Sequence, residues 1–216
     1  MEIRRDEHPH GGGLASTRPY RMTARADAVE QTRERILHVT YQLWLDRSYD
    51  ELTVDAIAAA AEVSRQTVHR HFGSKDDLVL AVMAWLGPRE EAARAVEVGD
   101  TEAAVRRVVE RNEETGDADL RALELEGRVA TVERMLAEGR RSHRQWVEQA
   151  FDPYLPRPSA RRDRVVDALY AATDVTVWKL LRRDFGRTAA ETEAIIRLLV
   201  DGALGGARQA PGKESE

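Results

Sequence analysis

Apolar residues recur along this chain at three- and four-residue steps, and nowhere alternate singly with polar ones in the manner of a strand. From Asp27 the positions Val29, Ile36, Leu37, Thr40, Leu43 and Trp44 fall on one side of a helix. The run Asp46-Arg47-Ser48-Tyr49-Asp50 ends it. Thr53 then starts a short second helix: its hydroxyl can accept a free backbone N–H, and Asp55 suits the positive end of the helix dipole. The alanine-rich run from Ala56 to Ala61 has high helix propensity. Glu62-Val63 makes a turn, Ser64 caps a third helix to about Phe72, and Gly73 stops it. Ser74-Lys75-Asp76-Asp77 resembles a capping box. It opens a fourth helix that carries Leu78, Val79, Val82, Met83 and Leu86 and is expected to end at Gly87-Pro88.

Three further apolar stretches read as helical. One uses Ala104, Val105, Val108, Val109 and Asn112, a second Leu120, Leu123, Val129, Val132 and Leu136, and a third His143, Trp146, Val147, Ala150, Phe151 and Tyr154. Pro153, Pro156 and Pro158 interrupt the chain, and two long helices follow at about 159–184 and 188–204. The expectation is an all-α protein. Residues 1–25 form a flexible arm without apolar period, 26–73 a three-helix unit, 74–205 a larger helical domain and 206–216 a polar tail.

Three short helices with a tight turn between the second and third make a helix-turn-helix. Close crossing of two helices needs small residues, which Ala58 and Ala61 supply. Val63, Val68 and Phe72 are spaced as apolar pins into the core. The outward face of the third helix is then Arg65, Gln66, Thr67, His69 and Arg70, side chains able to reach base edges or phosphates in a major groove.

Charge does not advertise this. The net charge is −5, and between Arg21 and Leu86 acidic residues outnumber basic ones. A DNA-binding role therefore rests on where the positive groups sit. Composition excludes other classes. A hydrophobic share of 42% is that of a globular chain. With no cysteine, disulfides, thiolate zinc sites and cysteine nucleophiles are absent. His8 and His10 lack a third ligand, so no metal is expected. Gly11-Gly12-Gly13 follows no strand and is no phosphate loop, and no cofactor is expected. The longest apolar runs fall far short of the roughly 20 residues of a spanning helix. Arg4-Arg5 precedes no apolar stretch, so a cytoplasmic protein without membrane contact is expected.

The string Thr53-Val54-Asp55-Ala56-Ile57-Ala58, followed by Val63-Ser64-Arg65-Gln66-Thr67-Val68-His69-Arg70-His71-Phe72-Gly73-Ser74-Lys75-Asp76-Asp77-Leu78, resembles the N-terminal signature of the tetracycline-repressor (TetR) family. The resemblance is contiguous from the first helix into the fourth, and beyond it the chain matches only in kind and length. Two positions depart from the family's pattern. Glu62 stands where glycine is frequent, so the turn lacks an easy left-handed residue, and His69 stands where tyrosine is usual. The resemblance implies that Thr53 meets a phosphate at a helix N-terminus. It implies that Arg65, Gln66 and Thr67, opened by Ser64, face the bases, that His69 and His71 touch the backbone or a nearby base, and that Lys75 holds a phosphate. His71 beside Phe72 can equally cap or pack.

It further implies a repressor that binds a pseudo-palindromic double-stranded DNA operator as a homodimer and is released by a small, largely apolar effector. The dimer would use Val166, Leu169, Tyr170, Thr173, Val177 and Leu180 on one helix and Ile195, Ile196, Leu199 and Ala203 on the next. For the effector, Asn112 and His143 are polar groups at inward positions, with Met135, Trp146 and Trp178 beside them. Water or a backbone carbonyl would satisfy the two polar groups as well as a ligand, and the aromatics fit a packed core equally. A helical small-molecule-binding enzyme and a protein-only adaptor are the alternatives. The first needs convergent titratable groups, which the sequence does not assemble. The second has no use for Arg65.

Overall fold

The computed structural model describes residues 18–209. Residues 1–17 of the expected arm and 210–216 of the expected tail lie outside the described residues. The described residues form helices and no strand. They are α1 (Arg18–Asp46), α2 (Val54–Ala60), α3 (Arg65–Phe72), α4 (Lys75–Ala93), α5 (Thr101–Leu123), α6 (Ala130–Ala150), α7 (Ala160–Thr173), α8 (Val175–Lys179) and α9 (Ala189–Gln209). A 3₁₀ turn at Asp152–Tyr154 follows α6, and a π-helical turn at Leu180–Asp184 follows α8.

Four boundaries differ from the sequence reading. Backbone helix begins at Arg18, inside the segment read as an arm. The buried face of α1 nevertheless starts only at Ile36, and Val29 is 55% exposed because the first turns run past the core. α4 passes through Pro88 to Ala93. The proline removes one N–H, but the carbonyl left over belongs to exposed Ala84, where water reaches it. Arg89 lays its guanidinium on the next carbonyl, that of Trp85, at 2.7 Å. The three middle stretches regroup into two helices, with the break at 124–129, where Gly127 takes a left-handed φ of 72°. The stretch at 159–184 is not one helix. Asp174 turns extended, and its carboxylate caps α8 by accepting the Thr176 N–H at 2.9 Å.

The apolar residues form two cores that do not follow the sequence boundary at residue 73. The first gathers α1 to α4 together with Ala118, Ala122 and Leu125, and Val132 and Met135 of α6. The second gathers the N-terminal half of α5, the C-terminal half of α6, α7 and α9. α5 and α6 therefore belong to both. Between the cores lies a polar belt. Arg111 of α5 donates to both carboxylate oxygens of Glu90 of α4, with Nε–Oε2 at 2.7 Å, to the Tyr41 hydroxyl of α1 at 3.1 Å and to Glu114 at 2.9 Å. α8 docks on α5 through Trp178, whose ring lies so close to Gly116 that an added Cβ would sit 2.5 Å from it.

The helix-turn-helix forms as the sequence predicts, with one strained residue. The Val63 N–H bonds to Ala58 O at 3.0 Å and the Glu62 N–H to Ala59 O at 3.2 Å, the paired bonds of a Schellman motif ending α2. That motif places Glu62 left-handed at φ 53°, the only non-glycine with positive φ among the described residues. Arg35 of α1 braces the turn by donating to Ala61 O at 3.0 Å. A left-handed residue with a Cβ costs roughly 1–2 kcal/mol, while glycine loses about 0.5–1 kcal/mol of unfolded-state entropy. Glu62→Gly is therefore expected to stabilise the protein by about 0.5–1 kcal/mol and to raise Tm by about 1–4 °C. Thermal unfolding followed by circular dichroism checks this, and an unchanged or lower midpoint refutes the strain.

Candidate functional site

The exposed face of α3 is built from helix caps upward. Thr53 accepts the Ala56 N–H at 3.1 Å and Ser64 accepts the Thr67 N–H at 3.1 Å, so each hydroxyl starts a helix. Thr67 is half-buried because its hydroxyl meets that of Ser64 at 2.9 Å. Val68 and Phe72 point into the core, which leaves Arg65, Gln66, His69 and Arg70 exposed on the opposite face. Arg65 pairs with Asp55 of α2 at 3.3 Å, a contact ten residues apart that the sequence reading missed. Such exposed pairs contribute about 0–1 kcal/mol, so the guanidinium is held loosely enough to be given up to a phosphate or a base.

Three predicted residues are engaged otherwise. The His69 Nδ1–H donates to Gly73 O at 2.8 Å and closes the C-terminal end of α3, leaving Nε2 for other partners. His71 is half-buried against Phe72, and burial, with Arg70 and Arg33 nearby, pulls its pKa below the usual histidine value. It therefore packs toward α1. Lys75 donates to Tyr49 O at 2.9 Å and lies 3.9 Å from the centroid of the Tyr49 ring. Beside it, Asp76 accepts hydrogen bonds from the Tyr49 hydroxyl and, at 2.8 Å, from Thr131 of α6. Burial and that carboxylate push the Tyr49 pKa up to about 12. Asp76 thus ties the start of α4 to the start of α6, a role that its place in a first turn did not signal.

A second site lies at the other end of the same two helices. A cleft of about 260 Å³ opens between the end of α4 and α6, lined by Arg94, Val96, Val98, Gln145, Trp146 and Gln149 among others. The Arg94 guanidinium stands 4.9 Å from the Trp146 ring centroid and donates to His143 Nδ1. The Arg94 carbonyl accepts the Trp146 indole N–H at 2.8 Å. The proton positions follow. A guanidinium only donates, and the Thr173 hydroxyl donates to Leu169 O at 2.8 Å. His143 therefore accepts at Nδ1 and donates from Nε2 to Thr173 at 3.0 Å, as a neutral ring. Burial, with Arg94 beside it, holds its pKa down at about 4.

The five predicted effector residues do not share one site. Trp146 lines the cleft, and His143, which does not, stacks on it with centroids 5.8 Å apart. Met135 belongs to the first core, and Trp178 is sealed against Gly116, donating to Glu113 at 2.7 Å. Asn112 is half-buried, with its amide nitrogen unpartnered. None of these last three lines the cleft. Arg94, which does, was missed, because Arg89-Glu90-Glu91-Ala92-Ala93-Arg94 reads as a solvated charged helix end.

Comparison with known proteins places similarity where the caps and pins lie. Residues 36–82 match the family described as bacterial regulatory proteins, tetR family. An uncharacterized HTH-type transcriptional regulator of Mycobacterium bovis is 52% identical over 46 residues, 21% of this chain and 23% of that protein. The HTH-type transcriptional regulator TcmR of Streptomyces glaucescens is 33% identical over 72 residues, 33% of this chain and 27% of that protein. The matched segments thus span about a quarter of these relatives' length. In fold, the chain is similar to the crystal structure of a tetR-family transcriptional regulator from Streptomyces coelicolor, with a TM-score of 0.67, 21% identity and 82% of each chain covered. It is also similar to a structure from Mesorhizobium loti titled as that of a putative tetR-family regulator, with a TM-score of 0.60 and 18% identity, covering 82% of this chain and 96% of that one.

The polar belt and the cleft generate opposed pH dependences. His143 stays neutral in the fold down to about pH 4 but protonates near 6.5 when unfolded, so it withdraws stability as pH falls from about 6.5 to 4. Asp119 is half-buried, and desolvation pushes it up to about 6, against an ordinary value near 3.9, so its uptake of a proton adds stability as pH falls from about 6 to 4. Each contribution is on the order of 3 kcal/mol, and in the native chain they offset. His143→Gln, which accepts from Arg94 and donates to Thr173 as the neutral ring does, is expected to gain stability on acidification relative to wild type. Asp119→Asn is expected to lose it. Urea titrations at pH 4.5 and 6.5 measure both, and parallel pH profiles for the two variants refute the assignment.

Proposed function

Residues 36–82 match the tetR family of bacterial regulatory proteins, and we propose that the chain belongs to it and is a transcriptional regulator that reads a DNA operator through α3. The observation that carries this reading is the division of α3. Val68 and Phe72 are fixed inward, while Arg65, Gln66, His69 and Arg70 stand exposed on one face with no other task than a weak pair and a C-cap. That face is cationic in a chain whose net charge is −5, which supports local rather than bulk attraction to DNA. Thr53 and Ser64, with their helix N-termini, suit phosphates, and Arg65 and Gln66 suit base edges. The protein acts as a repressor and not as an enzyme. An effector bound in the larger helical part lowers its operator affinity.

Operator binding is through a two-fold dimer. Most of the apolar positions on α7 and α9 face inward: Val166, Leu169, Ile196, Val200 and Leu204 are buried within one chain. Leu198 and Leu199 on α9, with Leu180 and Phe185 near the π turn, remain exposed, at 71% for Leu198 and 60% for Phe185. Apolar residues clustered in water are unfavourable unless covered, and a second copy presenting the same face covers them symmetrically. The dimer then sets two recognition helices against two half-sites.

Arg65→Ala is expected to weaken operator binding by about 1–3 kcal/mol and to flatten base preference. Lys75 is held on Tyr49, so Lys75→Ala is expected to act through the start of α4 and to change affinity for all sequences alike. Gel-shift titration against the region upstream of the protein's own gene and against random DNA measures both. Equal loss on the two DNAs for Arg65→Ala removes the base-reading role, and absence of operator binding in the wild type removes the proposal. Leu199→Arg is expected to yield helical monomers without operator affinity, and wild-type monomers in light scattering at micromolar concentration refute the dimer.

A further inference from the structure

We propose that the cleft between the end of α4 and α6 binds a small organic monocarboxylate, with its anionic group on Arg94 and its apolar body against Val96 and Val98. The inference deepens the effector reading above and rests on it for any consequence at DNA.

Arg94 carries a charge that no carboxylate among the described residues matches. Several arginines anchored between elements hold a carboxylate: Arg111 has Glu90, Arg182 has Glu113, Arg183 has Asp117 and Arg140 has Glu126, while Arg35 and Arg121 donate to backbone carbonyls. Arg94 is part-buried and has no carboxylate within ion-pair distance among the described residues. Its hydrogen-bond acceptor is His143, which the proton accounting makes neutral, and one face of the guanidinium lies over Trp146. Five N–H donors are available on a guanidinium, and one ring nitrogen cannot satisfy them. Burial disfavours the charge, and its pKa is lowered accordingly. The nearby acids are committed elsewhere: Glu90 to Arg111, and Asp119 to Thr115 at 3.3 Å.

The cleft supplies the remainder of a ligand site. A planar guanidinium matches a carboxylate through two parallel hydrogen bonds. Trp146 is 9% exposed, with Arg94 over its ring and His143 stacked on it, so the apolar wall of the cleft is Val96 and Val98, with Val98 58% exposed. Gln145 and Gln149 offer neutral donors and acceptors at the sides. Glu91, the acidic lining residue, is exposed at the rim and repels a second negative charge, which favours a monoanion over a phosphate or a dicarboxylate. A volume of about 260 Å³ is below the range for drug-sized ligands and suits a small one.

The test uses the full chain and three pairs of probes: benzoate, salicylate and phenylacetate, each against its carboxamide. Isothermal titration calorimetry and tryptophan fluorescence measure binding to the free protein. At least one acid is expected to bind about tenfold or more tightly than its amide. Arg94→Gln is expected to abolish that advantage. Gln149→Glu, at an exposed position on the wall of the cleft, is expected to weaken the acid and leave the amide unchanged, and it decides the question if Arg94→Gln does not fold. No binding of any acid at millimolar concentration, equal affinity for acid and amide, or an advantage that survives Arg94→Gln or ignores Gln149→Glu overturns the proposal. Gel shifts with the same probes separate the two readings. An acid that binds through Arg94 without releasing operator refutes the effector response and leaves the site standing. Release by the amides alone refutes the site and leaves the response.

Discussion

One half-buried guanidinium ties three helices together. Arg111 lies where two apolar cores meet, and an arginine there is tolerable only if its donors are matched. Glu90 of α4 takes two of them and the Tyr41 hydroxyl of α1 a third. Those partners cannot be met with α1, α4 and α5 in any other relative position, because the bidentate geometry is directional. α1 carries the inner wall of the helix-turn-helix through Ile36 and Leu37, and α5 runs on into the second core through Val105 and Val109. The orientation of the recognition helix relative to the distal half therefore follows from how one charge is satisfied. Replacing Glu90 leaves the half-buried guanidinium with only the exposed Glu114 as a carboxylate partner.

α4 and α6 run side by side in the same direction and are tied at both ends. Near the recognition surface, Asp76 accepts from Thr131. At the other end, Arg94 contacts His143 and Trp146. Both ties are polar and directional, and between them lie Leu86, Val132 and Met135 of the packed first core. A body that separates Arg94 from α6 cannot be accommodated by local softening alone, because close-packed interiors shift as units. The first turn of α4 also carries Lys75, held on Tyr49, so the same strut ends against the loop before the helix-turn-helix. Under the proposed reading, coupling between the cleft and the exposed face of α3 needs an element that touches both, and α4 with α6 spans that distance.

The two halves use charge in opposite ways. On the distal side, arginines are locked into carboxylates across helices, as Arg182 is to Glu113 and Arg183 to Asp117. On α3 the cations stay exposed and lightly held, with Arg65 on a single long pair. A rigid scaffold with a loosely committed face is what recognition of a polyanion requires, since contacts already strong within the protein would have to be broken first.

Local patterns were legible because they are enforced locally. Thr53, Ser64 and Ser74 cap the helices the sequence assigns to them, Gly73 ends α3, and Ala58, Ala61, Val68 and Phe72 are buried as their spacing requires. Each of these follows from backbone groups within a few residues. The turn at Glu62 marks the limit: Arg35 and the pins of α3 hold a left-handed conformation that the residue's own preference opposes. Pro88 inside α4 and Asp174 between α7 and α8 mark it again, since packing decided whether a local breaker broke a helix. The sequence by itself determined the all-α class, the helix-turn-helix and the outward face of α3, because period, caps and small residues act at short range. Only the tertiary structure decided that His71 and Lys75 are engaged inside the domain, that Met135 and Trp178 are core, and that Arg94 stands unmatched beside a cleft. Those outcomes depend on which distant groups arrive as partners, such as Tyr49, Gly116 and His143, and no pattern along the chain encodes that.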